Sequence, residues 1–212
     1  MGAKKAILFD FWGTLVENGV YSPVRQVRTI LRLDMPFQEY IVAFEECFMV
    51  KKWDSLSEAF TAVCKTFDIK ADTLMIERLV GMWNKNTLLS KPFPETLEVL
   101  DDLKRDFKIG LVSNTDQFSV EQVLEKYKLL DLLDGVALSY ETGALKTNPN
   151  LFKAALKKMK LKPDQTIMVG DSLESDMKGA ENAGIKGVLV DRRGRREFSP
   201  KIGNLRELRS VL

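Results

Sequence analysis

The sequence predicts an α/β fold, a three-layer core on a parallel sheet with an all-helical segment inserted after the first strand. Three observations carry this. Beyond residue 94, short apolar runs alternate with helical patterns at the spacing of parallel strands and their crossover helices. One apolar strand, residues 5–10, stands apart from that series and runs straight into Asp10. Between them, residues 21 to about 89 show helical patterns only. The 212 residues suffice for one large domain, or one domain with an insert.

The elements follow in order. The first strand is the short run Ile7-Leu8-Phe9, closed by Asp10 and the turn Gly13-Thr14. Ser22-Pro23 opens a helix with proline in its first turn. Tyr40, Ile41, Phe44, Cys47 and Phe48 have helical spacing and predict a second helix over 36–50. Ser55-Leu56-Ser57-Glu58 reads as a capping box before a third. Asp72 starts a fourth, through Leu74, Ile76, Leu79, Val80 and Trp83. Residues 17–89 are therefore read as a helical cap domain, and 1–16 with 90–212 as the core. After Lys91-Pro92-Phe93-Pro94 come a helix over 95–106, a strand over 108–112, a helix over 119–128 and a strand over 135–138. A helix over 149–159, a strand over 166–169, a helix over 174–183 and a strand over 187–190 complete the series.

Composition narrows the function classes. A formal charge of +2 implies neither a nucleic-acid surface nor an acidic tail. No apolar run approaches the roughly 18–20 residues that span a bilayer. Asp10 interrupts the apolar stretch after Met1-Gly2-Ala3-Lys4-Lys5, which leaves it too short for a signal peptide. Ala6 stands where N-acylation at Gly2 requires Ser or Thr. The expectation is a soluble cytoplasmic protein without nucleic-acid or membrane partners. Cys47 and Cys64 lie in apolar helical patterns at no metal-binding spacing, and are expected as reduced, buried thiols. The chain has no histidine, which excludes histidine triads, histidine-ligated zinc and histidine bases. The run Arg192-Arg193-Gly194-Arg195-Arg196 is expected as a solvated loop. Phe44, Phe48, Trp53 and Trp83 are expected to pack the helices together.

Three strand ends carry polar residues: Asp10, then Ser113-Asn114-Thr115-Asp116, then Asp171-Ser172 with Asp176 beyond. Parallel strands bring their carboxyl ends into one crevice. The chemistry this implies is a carboxylate nucleophile beside a hard cation. Asp10 and Asp171 offer the oxygen ligands that Mg²⁺ prefers, and the cation offsets repulsion between an anionic nucleophile and a phosphate. Ser113 and the turn at Asn114 offer a hydroxyl and backbone N–H groups to phosphate oxygens. Lys146, just before a helix, is placed to neutralise developing charge.

These residues resemble the motifs of the haloacid dehalogenase-like hydrolase superfamily. Asp10-Phe11-Trp12-Gly13-Thr14, Leu111-Val112-Ser113-Asn114, Lys146-Thr147-Asn148-Pro149-Asn150-Leu151-Phe152 and Gly170-Asp171-Ser172 with Asp176 match its four motifs in order. The resemblance implies a Rossmann-like core, a helical C1 cap that selects the substrate, and hydrolysis of a small phosphorylated molecule through an aspartyl-phosphate on Asp10. It implies that Asp10, the backbone carbonyl of Trp12 and Asp171 surround Mg²⁺, with Asp176 binding or orienting the metal shell. Ser113 and Lys146 would hold the transferring group.

Two departures alter the expectation. Family phosphatases carry a second aspartate where this chain has Trp12, and use it as general acid and base. An indole does not titrate near neutrality and donates a single N–H. Loss of acid–base help removes roughly 10²–10⁴ in rate, so slow turnover is expected. Glu17, close after the first motif, is one candidate to replace the missing acid. Thr147-Asn148 also stands where Pro-Asp is usual. The 2-haloacid dehalogenases carry an aromatic residue at the Trp12 position and work without metal, so dehalogenation is the rival reading. A weakly active or inactive binding protein on the same fold is a third.

Overall fold

The structure is a computed structural model and describes residues 5–212. The readings made on Met1, Gly2, Ala3 and Lys4 lie outside the described residues. The chain begins with β1 (Ala6–Phe9) and β2 (Val16–Glu17), then enters the helices α1 (Pro23–Ile30), α2 (Phe37–Phe48), α3 (Leu56–Thr66) and α4 (Thr73–Leu89). It returns through β3 (Lys91–Pro92), α5 (Thr96–Leu103), β4 (Lys108–Ser113), α6 (Gln117–Lys126), β5 (Gly135–Leu138) and α7 (Ser139–Thr142). It ends with α8 (Pro149–Met159), β6 (Thr166–Gly170), α9 (Lys178–Asn182), β7 (Lys186–Val190) and β8 (Lys201–Ile202).

Six strands form one parallel sheet in the order β5-β4-β1-β6-β7-β8. β1 lies between β4 and β6, with Ile7 opposite both Ile109 and Ile167. The chain builds the sheet outward on one side of β1 and then on the other. That reversal opens a crevice at the carboxyl end of β1. Alternation along the strand makes the three layers. Ile7 and Phe9 join one apolar cluster with Leu100, Leu111 and Val123, while Ala6 and Leu8 join another with Val112, Phe152 and Met159.

The four inserted helices enclose their own cluster of aromatic side chains. Phe44 stacks on Phe48 at 5.1 Å, and Phe48 meets Trp83 at 4.9 Å. Phe44, Phe48, Trp53 and Trp83 are all buried, as expected of packing residues. The helix starts follow the sequence signals: Ser22 Oγ accepts from Arg25 N, Ser55 Oγ from Glu58 N, and Asp72 Oδ1 from Met75 N. Glu58 departs from the box geometry, because its carboxylate accepts from Asp54 N instead of Ser55 N. Among the described residues, no helix is long and apolar enough to cross a membrane.

Several expectations are corrected. β2 and β3 pair antiparallel where the chain enters and leaves the helical segment, and two-residue strands are too short to show alternation. The segment read as one helix over 174–183 is a wide π turn, Leu173–Met177, followed by α9. Cys64 is buried but Cys47 only half so, its sulfur accepting from Thr66 Oγ1. The arginine run is not simply solvated. Arg192 bonds Glu95 and the Thr14 carbonyl and lies over the Phe93 ring, and Arg196 bonds the Asp171 carbonyl. Both arginines tie the loops at the strand ends together, which solvent would not do.

Candidate active site

The carboxyl end of β1 delivers Asp10 to the floor of a cleft of about 480 Å³ between the sheet and the helical segment. Asp10 Oδ2 accepts a hydrogen bond from Thr14 Oγ1 at 2.9 Å, and Oδ1 accepts from Lys146 Nζ. The same ammonium donates to Asp176 Oδ1 at 2.7 Å. Asp176 is held in turn by the Ser172 N–H, which donates to its Oδ2 at 2.9 Å. The π turn lets Asp176 fold back onto the residue that starts it, and such turns concentrate at functional sites. Gly170 is needed there, since a Cβ at that position would lie 2.3 Å from the Asp176 carboxyl carbon. Gly13 meets two demands: its φ is +87°, and a Cβ would stand 2.6 Å from Asp171 Oδ2.

Lys146 is 2% exposed, yet it remains charged. Burial works against the ammonium, but Asp10 and Asp176 outweigh it and hold its pKa above the usual lysine range. Asp10 is pushed up, chiefly by burial and also by Asp176, against the lowering effect of Lys146. Asp171 is likewise pushed up by burial and then by the charges of Asp10 and Asp176. Asp10, Asp171 and Asp176 each present an oxygen, all within 4.8 Å of one another. Three carboxylates share this space with one ammonium. The donor set is all oxygen and its charge excess is negative, which fits a hard divalent cation.

Of the residues singled out in the sequence, Asp10, Trp12, Asn114, Lys146, Asp171 and Asp176 all line the cleft. Ser113 does not line it. It is fully buried at the end of β4, and its hydroxyl donates to the Asn114 carbonyl at 3.4 Å. Trp12 and Phe11 make a T-shaped ring contact, and the Trp12 indole N–H donates to Thr115 Oγ1 at 3.0 Å. Asp116 caps α6, accepting from Ser119 N, and takes the Trp83 indole N–H from the helical segment. Glu17 does not line the cleft; it pairs with Lys91 across the β2–β3 ribbon at 3.2 Å.

The sequence reading missed Glu45. It lies on α2, between Ile41 and Met49 in a stripe that faces the cleft. The available signal was an acidic residue at helical spacing between apolar ones. Asn114 Nδ2 donates to Glu45 Oε2 at 2.8 Å, and Asn114 Oδ1 accepts from the Lys146 backbone N–H at 2.8 Å. Burial pushes the Glu45 carboxyl up to about 7, with Asn114 and Lys146 pulling it down and Asp176 and Asp10 pushing it further up.

The sheet order and the acidic strand ends define an α/β protein with a carboxylate-lined cleft at the carboxyl end of β1. Within that class it belongs to the haloacid dehalogenase-like hydrolase family, whose sequence profile matches residues 4–184. The chain is similar to the glyceraldehyde 3-phosphate phosphatase of Methanothermobacter thermautotrophicus, with 28% identity over 88% of this chain and 85% of that one. It is 30% identical to the Methanopyrus kandleri protein of the same name, over 93% and 88% of the two chains. Among solved structures it resembles a HAD phosphatase from Thermococcus onnurineus, with 27% identity, a TM-score of 0.66 and coverage of 98% and 97%. A 2-haloacid dehalogenase from Pseudomonas syringae shares the fold at a TM-score of 0.65 and 18% identity, covering 98% and 97%. Fold alone therefore does not separate the two chemistries.

Proposed function

We propose that the protein is a Mg²⁺-dependent phosphohydrolase that acts on a small phosphorylated molecule through an aspartyl-phosphate on Asp10. The observation that carries this is the Lys146 ammonium bridging Asp10 and Asp176, beside Asp171, with the three carboxylates within 4.8 Å. The relatives named glyceraldehyde 3-phosphate phosphatase support a phosphorylated metabolite as substrate.

In this reading Asp10 attacks phosphorus while Thr14 and Lys146 fix its carboxylate by hydrogen bonds. Asp10, Asp171, Asp176 and the Trp12 carbonyl would hold the cation, which offsets charge between nucleophile and phosphate when bound. Lys146, Asn114 and Ser113 would hold the transferring oxygens, Ser113 only after its hydroxyl turns from the Asn114 carbonyl. Residues 17–89 act as the cap, moving on the two linkers that the β2–β3 ribbon ties together. Trp12 supplies no proton, so slow turnover follows unless another group does.

The dehalogenase reading meets an electrostatic obstacle. A 2-haloacid brings its own carboxylate, which Asp10, Asp171 and Asp176 would repel. The test is phosphate release across a panel of phosphate esters, with Mg²⁺ and with chelator, alongside halide release from 2-haloacids. Mg²⁺-dependent phosphate release that is abolished in Asp10→Asn is expected. Equal rates with and without metal, or full activity in Asp10→Asn, would overturn the proposal. Metal-independent halide release would put dehalogenation in its place, and phosphate-analogue binding without turnover would indicate a binding protein.

A further inference from the structure

We infer that Glu45, carried on α2 across the cleft from the strand ends, performs the proton transfers that Trp12 cannot. The inference rests on the phosphohydrolase reading and adds a residue to it. The need is visible in the geometry. Trp12 has one polar side-chain atom, and Thr115 already occupies it. The other carboxylates of the cleft are committed. Asp10 is held by Thr14 and Lys146, Asp176 by Lys146 and Ser172, and Asp116 by Ser119 and Trp83. Asp171 belongs to the acidic cluster, and Glu174 is exposed at the rim.

Glu45 differs in place and in tether. It comes from the helical segment, not from the sheet. In phosphoryl transfer the attacking and leaving oxygens lie roughly in line with phosphorus. With Asp10 attacking from the sheet, the leaving oxygen points toward the helices, where Glu45 stands. The Asn114 amide fixes it with one arm and the Lys146 backbone with the other. That contact uses Oε2; Oε1 receives no hydrogen bond among the described residues. The carboxyl is also poised for exchange, because burial brings it to about 7.

The steps balance. As an Asp10 oxygen bonds to phosphorus and the bond from phosphorus to the leaving oxygen breaks, the Glu45 carboxylic acid gives its proton to that oxygen and becomes a carboxylate. Water then takes the place of the departed alcohol. Glu45 removes its proton as the water oxygen bonds to phosphorus. The bond from phosphorus to Asp10 breaks, which releases inorganic phosphate and regenerates both side chains.

The test is Glu45→Gln, whose amide oxygen can still accept from Asn114, assayed with Mg²⁺ on phosphate esters of graded leaving-group pKa. The expected wild-type dependence is shallow. The variant should lose roughly 10²–10⁴ in kcat on alkyl phosphates, with KM nearly unchanged. On p-nitrophenyl phosphate, whose leaving group needs little protonation, first-turnover release of p-nitrophenolate should slow less than about tenfold, while steady-state turnover falls because the water-attack step has lost its base. Glu45→Asp should recover part of the alkyl rate. A first-turnover rate that falls equally across all esters, no loss, or a change confined to KM would overturn the assignment of Glu45. Wild-type protein that shows no Mg²⁺-dependent hydrolysis of p-nitrophenyl phosphate would overturn the phosphohydrolase reading itself, and this inference with it.

Discussion

Replacing Lys146 with Met should expose the electrostatics on which the site is built, in stability as well as in activity. Its ammonium lies between Asp10 and Asp176, and all three side chains are almost wholly buried. Methionine fills similar volume but leaves two carboxylates facing each other and Asp171 with only Arg196 as a counter-charge. Removing one partner of a buried ion pair costs about 3–5 kcal/mol, because the remaining charge stays desolvated. For a urea slope of about 2 kcal/mol/M, that moves the midpoint down by about 2 M. The pH dependence has a definite sign. The folded pKa of Lys146 lies above its unfolded value of 10.5, so its stabilisation is complete below that value and is lost only as pH rises through the folded value. Wild-type protein therefore has all of it between pH 5 and 8. In the variant, Asp10, already raised by burial, rises further once Lys146 no longer lowers it, so the folded state binds more protons than the unfolded chain. Stability then falls as pH rises from about 4 through the folded value. The deficit against wild type should be largest at pH 8 and smaller at pH 5. Adding Mg²⁺ at 100 times its Kd should return about 2.7 kcal/mol. Metal-free urea melts of both proteins at the two pH values provide the assay. A deficit under about 1 kcal/mol at pH 8, or one that does not shrink at pH 5, would refute the reasoning.

Gly13→Ala should destabilise by about 1–3 kcal/mol, since φ is +87° and the new Cβ meets Asp171; calorimetric titration with Mg²⁺ should also show weaker binding. Arg192→Ala should cost about 2 kcal/mol, because its guanidinium holds Glu95, the Thr14 carbonyl and the Phe93 ring. Arg193→Ala, an exposed neighbour, should stay within about 0.5 kcal/mol; equal Tm shifts in the two variants would contradict the assignment of Arg192 to the strand-end loops. Structures with and without a phosphate analogue should differ in the angle between helical segment and sheet, with rotation at the two linkers. Identical angles across ligand states would count against cap movement.

The sequence alone determined what is local. Strand and helix alternation, the helical insert, the caps at Ser22, Ser55 and Asp72, and the strand-end residues Asp10, Asn114 and Asp171 were all legible. Each is written in periodicities and end signals that span fewer than about twenty residues. Lys146 and Asp176 were legible as members of motifs, though nothing local says that one ammonium joins them. That contact, and the approach of Lys146 to Asp10 across 136 positions, exists only because parallel pairing brings the carboxyl ends of β1, β4, β5 and β6 to one edge of the sheet. Glu45 shows the same divide. Its helix was predictable, but the meeting with Asn114, 69 positions away, depends on how the helical segment docks on the sheet. Arg192 and Arg196 looked like solvated charge because a basic run carries no record of the carboxylate, ring and carbonyls it will meet. Short-range patterning fixes which face of an element is apolar; packing of distant elements decides which polar groups are buried together, and that burial gives this cleft its chemistry.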